Sequence, residues 1–315
     1  MEPLIQTIGL KKYFPVGRHM LHAVDGVDLS IQKGMTLGVV GESGCGKSTL
    51  GRTVLGLQPA TSGQVLFEGQ DITKLRGKKM KDLRKHVQII FQDPYSSINP
   101  RHAISRIIGE PMRVNGIVNS GKEQEKRVRE LMTTVGLSDR LYHAYPHELD
   151  GGRRQRVGIA RALGLNPKFI VCDEPVSALD VSIQAQILNL FMDLQRDMGL
   201  TYMFITHDLS VVKHISHEIA VMYLGKCMER APFRELFKSP KHPYTKSLLS
   251  AIPVPSASVR MRKTELIKGE ITTPINPKPG CRFVNRCPFV ASNCEGVDIP
   301  LKEVAPDHYC ACTMI

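Results

Sequence analysis

The sequence predicts an α/β fold built on a parallel sheet, with an inserted helical subdomain and a small cysteine-rich C-terminal extension. Three observations predict it. Short apolar runs at 37–40, 86–91, 169–174 and 201–206 are typical of buried strands, and helical segments separate them. The stretch at about 94–160 is helical in composition and has no strong strand signal. Five of the eight cysteines lie in the last 35 positions.

A glycine-rich segment follows the first apolar run directly. It reads Gly-Glu-Ser-Gly-Cys-Gly-Lys-Ser-Thr over 41–49, which fits the phosphate-loop pattern G-x-x-x-x-G-K-[ST] and predicts a P-loop NTPase. The glycines let successive N–H groups point at phosphate oxygens, and the helix predicted to start at Lys47 adds its positive end. We expect Lys47 to reach the β- and γ-phosphates and Ser48 to bind Mg²⁺. The candidate nucleotide-contacting residues here are Gly41, Glu42, Ser43, Gly44, Cys45, Gly46, Lys47, Ser48 and Thr49.

The totals for the chain narrow the classes of partner. Lys and Arg number 42 against 30 Asp and Glu, and the net charge of +12 favours anionic partners. Aromatic residues make up 6% and Trp is absent, so stacking platforms for nucleic-acid bases are scarce. No apolar run approaches the roughly 20 residues that span a bilayer, and the N-terminus lacks the pattern of a secretory leader. We therefore expect a cytoplasmic protein that does not bind nucleic acid.

The apolar run at 169–174 ends in two carboxylates. Asp173 is placed to hold Mg²⁺ through water, and Glu174 to polarise a water for attack on the γ-phosphate. Gln92 follows another predicted strand, at the C-terminal edge where a parallel sheet presents its ligand-binding groups, and is a candidate both for catalysis and for Mg²⁺. His207 follows a third strand and is a candidate for contact with the γ-phosphate.

Two further segments are candidates for contact with the nucleotide. Gly151 and Gly152 precede a predicted helix and, together with Arg153, form a candidate second nest for phosphate. Tyr13 and Phe14 lie in a predicted loop upstream of the glycine-rich segment, where either ring can stack on adenine. The alternative for either aromatic is packing in a half-buried position.

With these motifs in order, residues 1–235 resemble an ATP-binding-cassette (ABC) ATPase. By that resemblance the family motifs are Walker A at 41–49, the Q-loop at Gln92, the signature at 149–153, the end of Walker B at Asp173 and Glu174, the D-loop at 177–180 and the switch histidine at His207. The resemblance implies that two such subunits close head to tail, with each ATP between one subunit's Walker A and the other's signature. It also implies that the region near Gln92 and the helical subdomain contact membrane permeases.

The signature departs from the family pattern Leu-Ser-Gly-Gly-Gln. Asp150 stands for the serine, and Arg153 stands for the glutamine. A carboxylate repels the γ-phosphate toward which the serine hydroxyl normally donates, and Arg153 offsets part of that charge. We therefore expect the ATP site completed by this signature to hydrolyse more slowly than the site containing this chain's own Walker A and Glu174.

Two segments resemble the ATPases of dipeptide and oligopeptide importers, a group that also includes nickel importers. They are 96–101 and 241–249, and the second contains His242-Pro243-Tyr244, which we interpret as a helix-entry turn. The resemblance implies a C-terminal oligopeptide-transporter extension over 236–315. It also implies attachment to the cytoplasmic face of the membrane through two permease subunits, with a solute-binding protein as an indirect partner. The altered signature favours a different chain as the second ATPase subunit.

These motifs do not determine the transported solute. Nickel or another small solute is therefore an alternative to peptides. An alternative hypothesis from another functional class is an ABC ATPase that acts on ribosomes or DNA. Translation factors of that class carry two cassettes in one chain, and DNA-repair members carry long insertions in theirs. This sequence has one cassette, and that cassette has no such insertion. A third reading is an iron–sulfur redox sensor with the cassette as its output.

The C-terminal cysteines resemble the tail of family members that carry a [4Fe–4S] cluster, which needs four thiolates. Cys281, Cys287 and Cys294 supply three. The family pattern assigns Cys312 as the fourth ligand, with Cys310 as the alternative. A zinc ion is the second hypothesis, because the short C-x₂-C knuckles typical of structural zinc sites are missing. The third hypothesis is that the cysteines bind no metal.

Overall fold

The computed structural model describes residues 2–251 and 272–315. The described strands are β1 (Ile5–Val16), β2 (His19–Ile31), β3 (Thr36–Val40), β4 (Ser62–Phe67), β5 (Gln70–Asp71), β6 (Val87–Ile90), β7 (Phe169–Asp173), β8 (Thr201–Ile205), β9 (Glu218–Tyr223), β10 (Lys226–Pro232), β11 (Lys302–Ala305) and β12 (His308–Cys310). The described α-helices are α1 (Lys47–Val54), α2 (Gly77–His86), α3 (Pro94–Ser97), α4 (Ile104–Val114), α5 (Gly121–Thr134), α6 (Gly151–Leu163), α7 (Val181–Met198), α8 (Leu209–Ile215), α9 (Phe233–Lys238) and α10 (Pro243–Ser250). Short 3₁₀ helices lie at Asp139–Leu141, Pro146–Glu148, Val284–Arg286 and Ser292–Cys294.

The chain forms two compact units. The first comprises Met1–Ile31, Thr36–Thr73 and Thr206–Ile315, and the second comprises Gln32–Met35 and Lys74–Ile205. The C-terminal region therefore groups with the N-terminal strands and with the glycine-rich segment. None of the helices in the described part of the chain is long and apolar enough to cross a membrane.

The first unit contains an antiparallel sheet in the order β2-β1-β4-β5. Strand β1 pairs with β2 along its whole length, up to Val16 opposite His19. Tyr13 and Phe14 lie inside β1, so the loop predicted for them is wrong. The reason is that both aromatic side chains favour strand backbone and that Tyr13 is held opposite His22 of β2.

A second sheet of the first unit contains strands β11-β12-β10-β9-β3 in that order. Strands β3 and β9 are parallel, with Val39 opposite Ala220, and the other pairs are antiparallel. The core against this sheet joins apolar residues of β3, α8, β9 and β10 to Tyr244 of α10 and to Phe283 of the C-terminal extension. Phe283 and Tyr244 are fully buried. The extension is thus part of the core of this unit.

The second unit contains three parallel strands in the order β8-β7-β6. Val171 in the middle strand lies opposite Ile89 on one side and Met203 on the other. Every residue of β7 and β8 is buried, as expected for parallel strands covered on both faces. Helices α3 to α6 follow β6 in sequence, and α7 buries an apolar face that includes Ile187 and Leu190.

Five of the described helices begin at a side chain that accepts a hydrogen bond from their first turn, and Asp93 is the cap of α3. Ser120 caps α5, Asp150 caps α6, Asp208 caps α8 and His242 caps α10. Such caps satisfy N–H groups that have no partner within the helix. The helix-entry turn predicted at His242 is therefore confirmed, since Pro243 occupies the first helical position.

Candidate functional site

The phosphate loop connects β3 to α1 in the first unit. Gly46 adopts a φ of 103°, immediately before α1, and a Cβ atom there would lie 1.9 Å from the carbonyl oxygen of Ala23. Gly41 is equally constrained, because a Cβ atom would lie 2.1 Å from the carbonyl oxygen of Met222. These two positions therefore require glycine, for backbone conformation and for close approach. Ser43 and Gly44 lie exposed on the outer part of the loop.

Lys47 is the first residue of α1 and is only 5% exposed. Its Nζ donates to the carbonyl oxygens of Gly41 at 2.8 Å and Glu42 at 2.9 Å. The ammonium group therefore lies inside the curve of the loop, with Ser48 and Thr49 following on the first turn of the helix. A cation held there beside the N-terminus of a helix is suited to the phosphates of a nucleotide.

Glu174 follows β7 directly and has a φ of 48°, a left-handed conformation that a glutamate seldom adopts. Its N–H donates to Ile205 O at 2.9 Å, and its carbonyl oxygen accepts from Ser177 Oγ at 3.1 Å. The neighbouring Asp173 is 2% exposed at the end of the strand. Strained backbone that its surroundings hold in place is concentrated at functional sites, which makes Glu174 a candidate for chemistry.

Gln92 contacts this glutamate in the second unit. The Gln92 Nε2 group donates to Glu174 Oε2 at 3.0 Å. The structure therefore brings two of the predicted catalytic side chains together at the C-terminal ends of β6 and β7, as the parallel arrangement predicts.

His207 is exposed in the first unit, between Thr206 and the helix α8. The turn is fixed on both sides, since the N–H of Asp208 donates to Thr206 Oγ1 at 3.0 Å and Asp208 Oδ1 accepts from the N–H of Ser210 at 2.7 Å. The imidazole is thus displayed on a turn of defined conformation.

The altered signature forms the start of α6 in the second unit. Asp150 Oδ1 accepts from the N–H of Arg153 at 2.7 Å, and Arg153 Nε lies 3.5 Å from Asp150 Oδ2. Gly151 and Gly152 lie within the first turn of α6. Gly152 is buried, and a Cβ atom there would lie 2.6 Å from Cγ2 of Ile183. One role of this glycine, which sequence reasoning missed, is therefore close packing against α7.

The two candidate adenine-stacking aromatics point in different directions from β1. The Tyr13 hydroxyl donates to Asp25, and its ring stacks on His22 with centroids 3.8 Å apart. The ring of Phe14 instead lies 4.7 Å from the ammonium of Lys12. Burial alone would raise the pKa of Asp25. The hydrogen bonds from Tyr13 and His22 and the positive charge of Arg282 outweigh this effect, so the pKa lies below its usual range.

Four of the C-terminal cysteines are electrostatic neighbours. Burial, together with the nearby thiols of Cys294, Cys287 and Cys312, raises the pKa of Cys281 to about 11. Burial likewise raises the pKa of Cys287, as do Cys312 and Cys294. In the described part of the chain, however, no group of three or more His, Cys, Asp or Glu side chains has the arrangement of a metal-ion site.

Cys310, the alternative fourth ligand, lies in a different environment. It is buried in β12, and burial followed by the charge of Glu229 raises its pKa. His308 is buried two residues earlier, with its Nε2 atom 2.7 Å from Glu229 Oε1. Cys312, and not Cys310, is among the thiols that raise the pKa of Cys281 and Cys287.

Several residues near the phosphate loop carry no motif. Arg286 of the extension forms an ion pair with Glu42, and the Tyr244 hydroxyl accepts from the N–H of Glu42 at 3.0 Å. Arg282 forms an ion pair with Asp25. Sequence reasoning missed these contacts because each arginine lies more than 240 residues from its partner, at separations of 244 and 257.

A phosphate loop after a buried strand, with a paired glutamine and glutamate at the end of parallel strands, defines a P-loop nucleotide hydrolase. Comparison with known proteins narrows the class. The ABC transporter family model matches residues 24–177, and the model described as the oligopeptide/dipeptide transporter C-terminal region matches 228–294. The chain belongs to the family of ABC transporter ATP-binding subunits, and the predicted α/β fold of a P-loop NTPase is confirmed.

The similarity to individual relatives spans nearly the whole chain. It is 49% identical to the oligopeptide transport ATP-binding protein AppF of Bacillus subtilis, covering 99% of this chain and 97% of AppF. It is 46% identical to the dipeptide transport ATP-binding protein DppF of Escherichia coli, covering 96% and 92%. Among solved structures, the ATP-binding cassette MJ0796 bound to ADP and phosphate in a post-hydrolysis state is 28% identical, with a TM-score of 0.68, covering 73% of this chain and 99% of that one.

Proposed function

We propose that this chain is the ATP-hydrolysing subunit of an ABC importer for dipeptides or oligopeptides. The observation that carries the proposal is Glu174, held in a left-handed conformation after a buried strand and hydrogen-bonded to Gln92. A carboxylate fixed in this way is suited to orient and deprotonate a water.

We assign the other steps to residues with matching chemistry. Lys47 and the loop N–H groups bind the phosphates. Ser48, Gln92 and Asp173 would hold Mg²⁺, which would supply positive charge against the phosphate oxygens. Gln92 orients Glu174 through the hydrogen bond to its carboxylate, and His207 contacts the γ-phosphate. ATP binding closes a pair of ATPase subunits and hydrolysis reopens it.

Peptides are the proposed cargo because the relatives most similar along the whole chain are named for oligopeptide or dipeptide transport, and because the extension matches that group at 228–294. Nickel is the competing cargo. Deleting the gene should abolish growth on a peptide as sole source of a required amino acid and leave nickel uptake unchanged. The opposite pattern would replace the peptide assignment without affecting the ATPase.

The partners we propose are two permease subunits, a second and different ATPase subunit, and indirectly a solute-binding protein. This chain would then lie on the cytoplasmic face of the membrane. The altered signature at Asp150 supports a heterodimer, since two unequal ATP sites arise naturally from two different chains. Purification of the tagged chain from native membranes tests the assembly, and recovery of this ATPase alone, as a pair of identical copies, would contradict it.

We further propose that Cys281, Cys287, Cys294 and Cys312 hold a [4Fe–4S] cluster. The other thiols of this set raise the pKa of Cys281 and Cys287, and four thiolates are the number of ligands that such a cluster needs. Cys312→Ser should remove iron and visible absorbance from an anaerobic preparation, and the matched Cys310→Ser should retain both. Iron-free wild-type protein would reject the proposal.

The hydrolytic role is tested with three variants in the assembled transporter. Glu174→Gln should lower ATP turnover by at least about a hundredfold, as expected for loss of a general base, while ATP still binds. Lys47→Ala should weaken ATP binding itself.

Glu68 offers a matched control, because it is a glutamate with the same φ of 48° at the turn between β4 and β5. Glu68→Gln should leave turnover unchanged. Equal turnover in the Glu174→Gln and wild-type proteins would refute the proposed function.

A further inference from the structure

Two arginines of the C-terminal extension are almost fully buried. The side chain of Arg282 is 5% exposed, and that of Arg286 is 7% exposed. Removing a guanidinium from water is costly unless a carboxylate and further hydrogen bonds compensate it. Each arginine has a carboxylate partner, and in both cases that carboxylate lies in the N-terminal part of the first unit.

Arg286 holds the phosphate loop. Its Nη1 and Nη2 atoms donate to the two carboxylate oxygens of Glu42 at 2.7 and 3.1 Å, a bidentate pair. The N–H of Glu42 donates to the Tyr244 hydroxyl, and the carbonyl oxygen of Glu42 accepts from Lys47 Nζ at 2.9 Å. The conformation of this loop residue, and with it the position of Lys47, is therefore fixed from the extension.

Arg282 holds a second segment, on β1 and β2. It donates to the carboxylate of Asp25, which also accepts from the Tyr13 hydroxyl and lies 3.1 Å from Nδ1 of His22. The Tyr13 and His22 rings are stacked with an interplanar angle of 19°. Arg282 thus fixes the plane of the Tyr13 ring through Asp25.

The segment fixed by Arg282 adjoins the phosphate loop. Ala23, next to His22, has its carbonyl oxygen against Gly46, and the carbonyl oxygen of Cys45 accepts from the N–H of Gly225 at 2.9 Å. Gly225 in turn accepts from the N–H of Asp25 at 2.8 Å. Tyr13 is therefore connected to the phosphate loop through Asp25 and Gly225.

We propose, on the basis of the function proposed above, that Arg286 and Arg282 are positioning residues for ATP, Arg286 at its phosphate end through Glu42 and Arg282 at its adenine end through Asp25 and Tyr13. Neither arginine touches the nucleotide. The extension is thereby a working part of the nucleotide site.

The two roles are separated by a ligand that lacks the base. Affinities of the full-length chain for MgATP and for magnesium tripolyphosphate are measured by calorimetry in the wild type and in Arg286→Met and Arg282→Met. Arg286→Met should lower the affinity for both ligands by about tenfold, because both bind at the phosphate loop. Arg282→Met should lower the affinity for MgATP by about tenfold and leave the affinity for tripolyphosphate unchanged. The ratio of the two affinities within one sample is independent of the fraction of folded protein.

Arg230 provides the matched control. It is an arginine of the same unit, 13% exposed and paired with Glu218 at 2.9 Å. Arg230→Met should keep both affinities. Should a methionine variant fail to fold, the corresponding lysine variant, which keeps the charge and loses the planar fork, carries the same comparison.

Three results would overturn the positioning roles. They are an unchanged affinity for MgATP in both variants, a lower affinity for tripolyphosphate in Arg282→Met, or an equal loss of affinity in Arg230→Met. Failure of the wild-type chain to bind MgATP would instead refute the proposed function.

Discussion

Exchanging Asp150 for serine should speed hydrolysis at the ATP site that this chain's signature completes. In the structure the Asp150 carboxylate caps α6, accepting from the N–H of Arg153 at 2.7 Å. Serine is an equally good cap, so we expect the free energy of unfolding to change by less than about 0.5 kcal/mol. The main effect of the exchange is the loss of a negative charge facing the γ-phosphate.

The magnitude follows from exposure and distance. Two unit charges 4 Å apart repel by about 1 kcal/mol in water and about 4 kcal/mol near a protein surface. The Asp150 side chain is 60% exposed and lies 3.5 Å from Arg153 Nε, which favours the lower figure. About 1 kcal/mol corresponds to about a fivefold rise in turnover.

The assay is the ATP turnover of the assembled transporter, with trapped nucleotide quantified at each site. Ser120 supplies the reverse control, because it caps α5 by accepting from the N–H of Glu123 at 3.2 Å. Ser120→Asp should leave turnover unchanged. If Asp150→Ser and Asp150→Asn both hydrolyse ATP at the wild-type rate, the electrostatic account of this signature is wrong.

Two further predictions concern stability. Gly152→Ala should lower the free energy of unfolding by about 1–3 kcal/mol, since its Cβ would lie 2.6 Å from Ile183. Gly158→Ala in the same helix meets nothing within 4 Å and should raise that free energy by up to about 1 kcal/mol. Burial, helped by the charge of Lys246, lowers the pKa of His242 to about 4. Because the unfolded ring takes up a proton near its usual pKa of about 6.5, stability should be complete above that pH and should fall by about 3 kcal/mol as the pH drops to 4.

Urea unfolding checks both stability predictions. Ile183→Ala should relieve the penalty of Gly152→Ala, and an unrelieved penalty would show that the contact is not its cause. His242→Asn keeps a capping side chain and should flatten the pH dependence. An unchanged slope between pH 6.5 and 4 in that variant would exclude His242 as its source.

The elements that the sequence predicts well are those whose signal is local. Strands β3, β7 and β8 are continuous apolar runs because both faces of a parallel strand are buried. Strand β1 lacks such a signal. Its register with β2 shifts between Leu10 and Lys11 and again between Lys12 and Tyr13, which breaks the alternation that marks a half-buried strand.

The same distinction applies to the candidate site. The phosphate loop, Glu174 and His207 are recognisable because each follows a buried strand directly. Arg282 and Arg286 are isolated arginines whose partners lie 257 and 244 residues away. Nothing in the residues around them predicts those partners, so the part that the extension plays at the phosphate loop became visible only in the folded chain.

The central claim is that water held at Glu174 attacks a nucleotide whose phosphates lie in the loop of Lys47. It is tested most directly by quenching the assembled transporter after incubation with MgATP and identifying the retained nucleotide. Glu174→Gln should retain intact ATP, and the wild type should retain ADP. ADP accumulating in Glu174→Gln at the wild-type rate would contradict the claim.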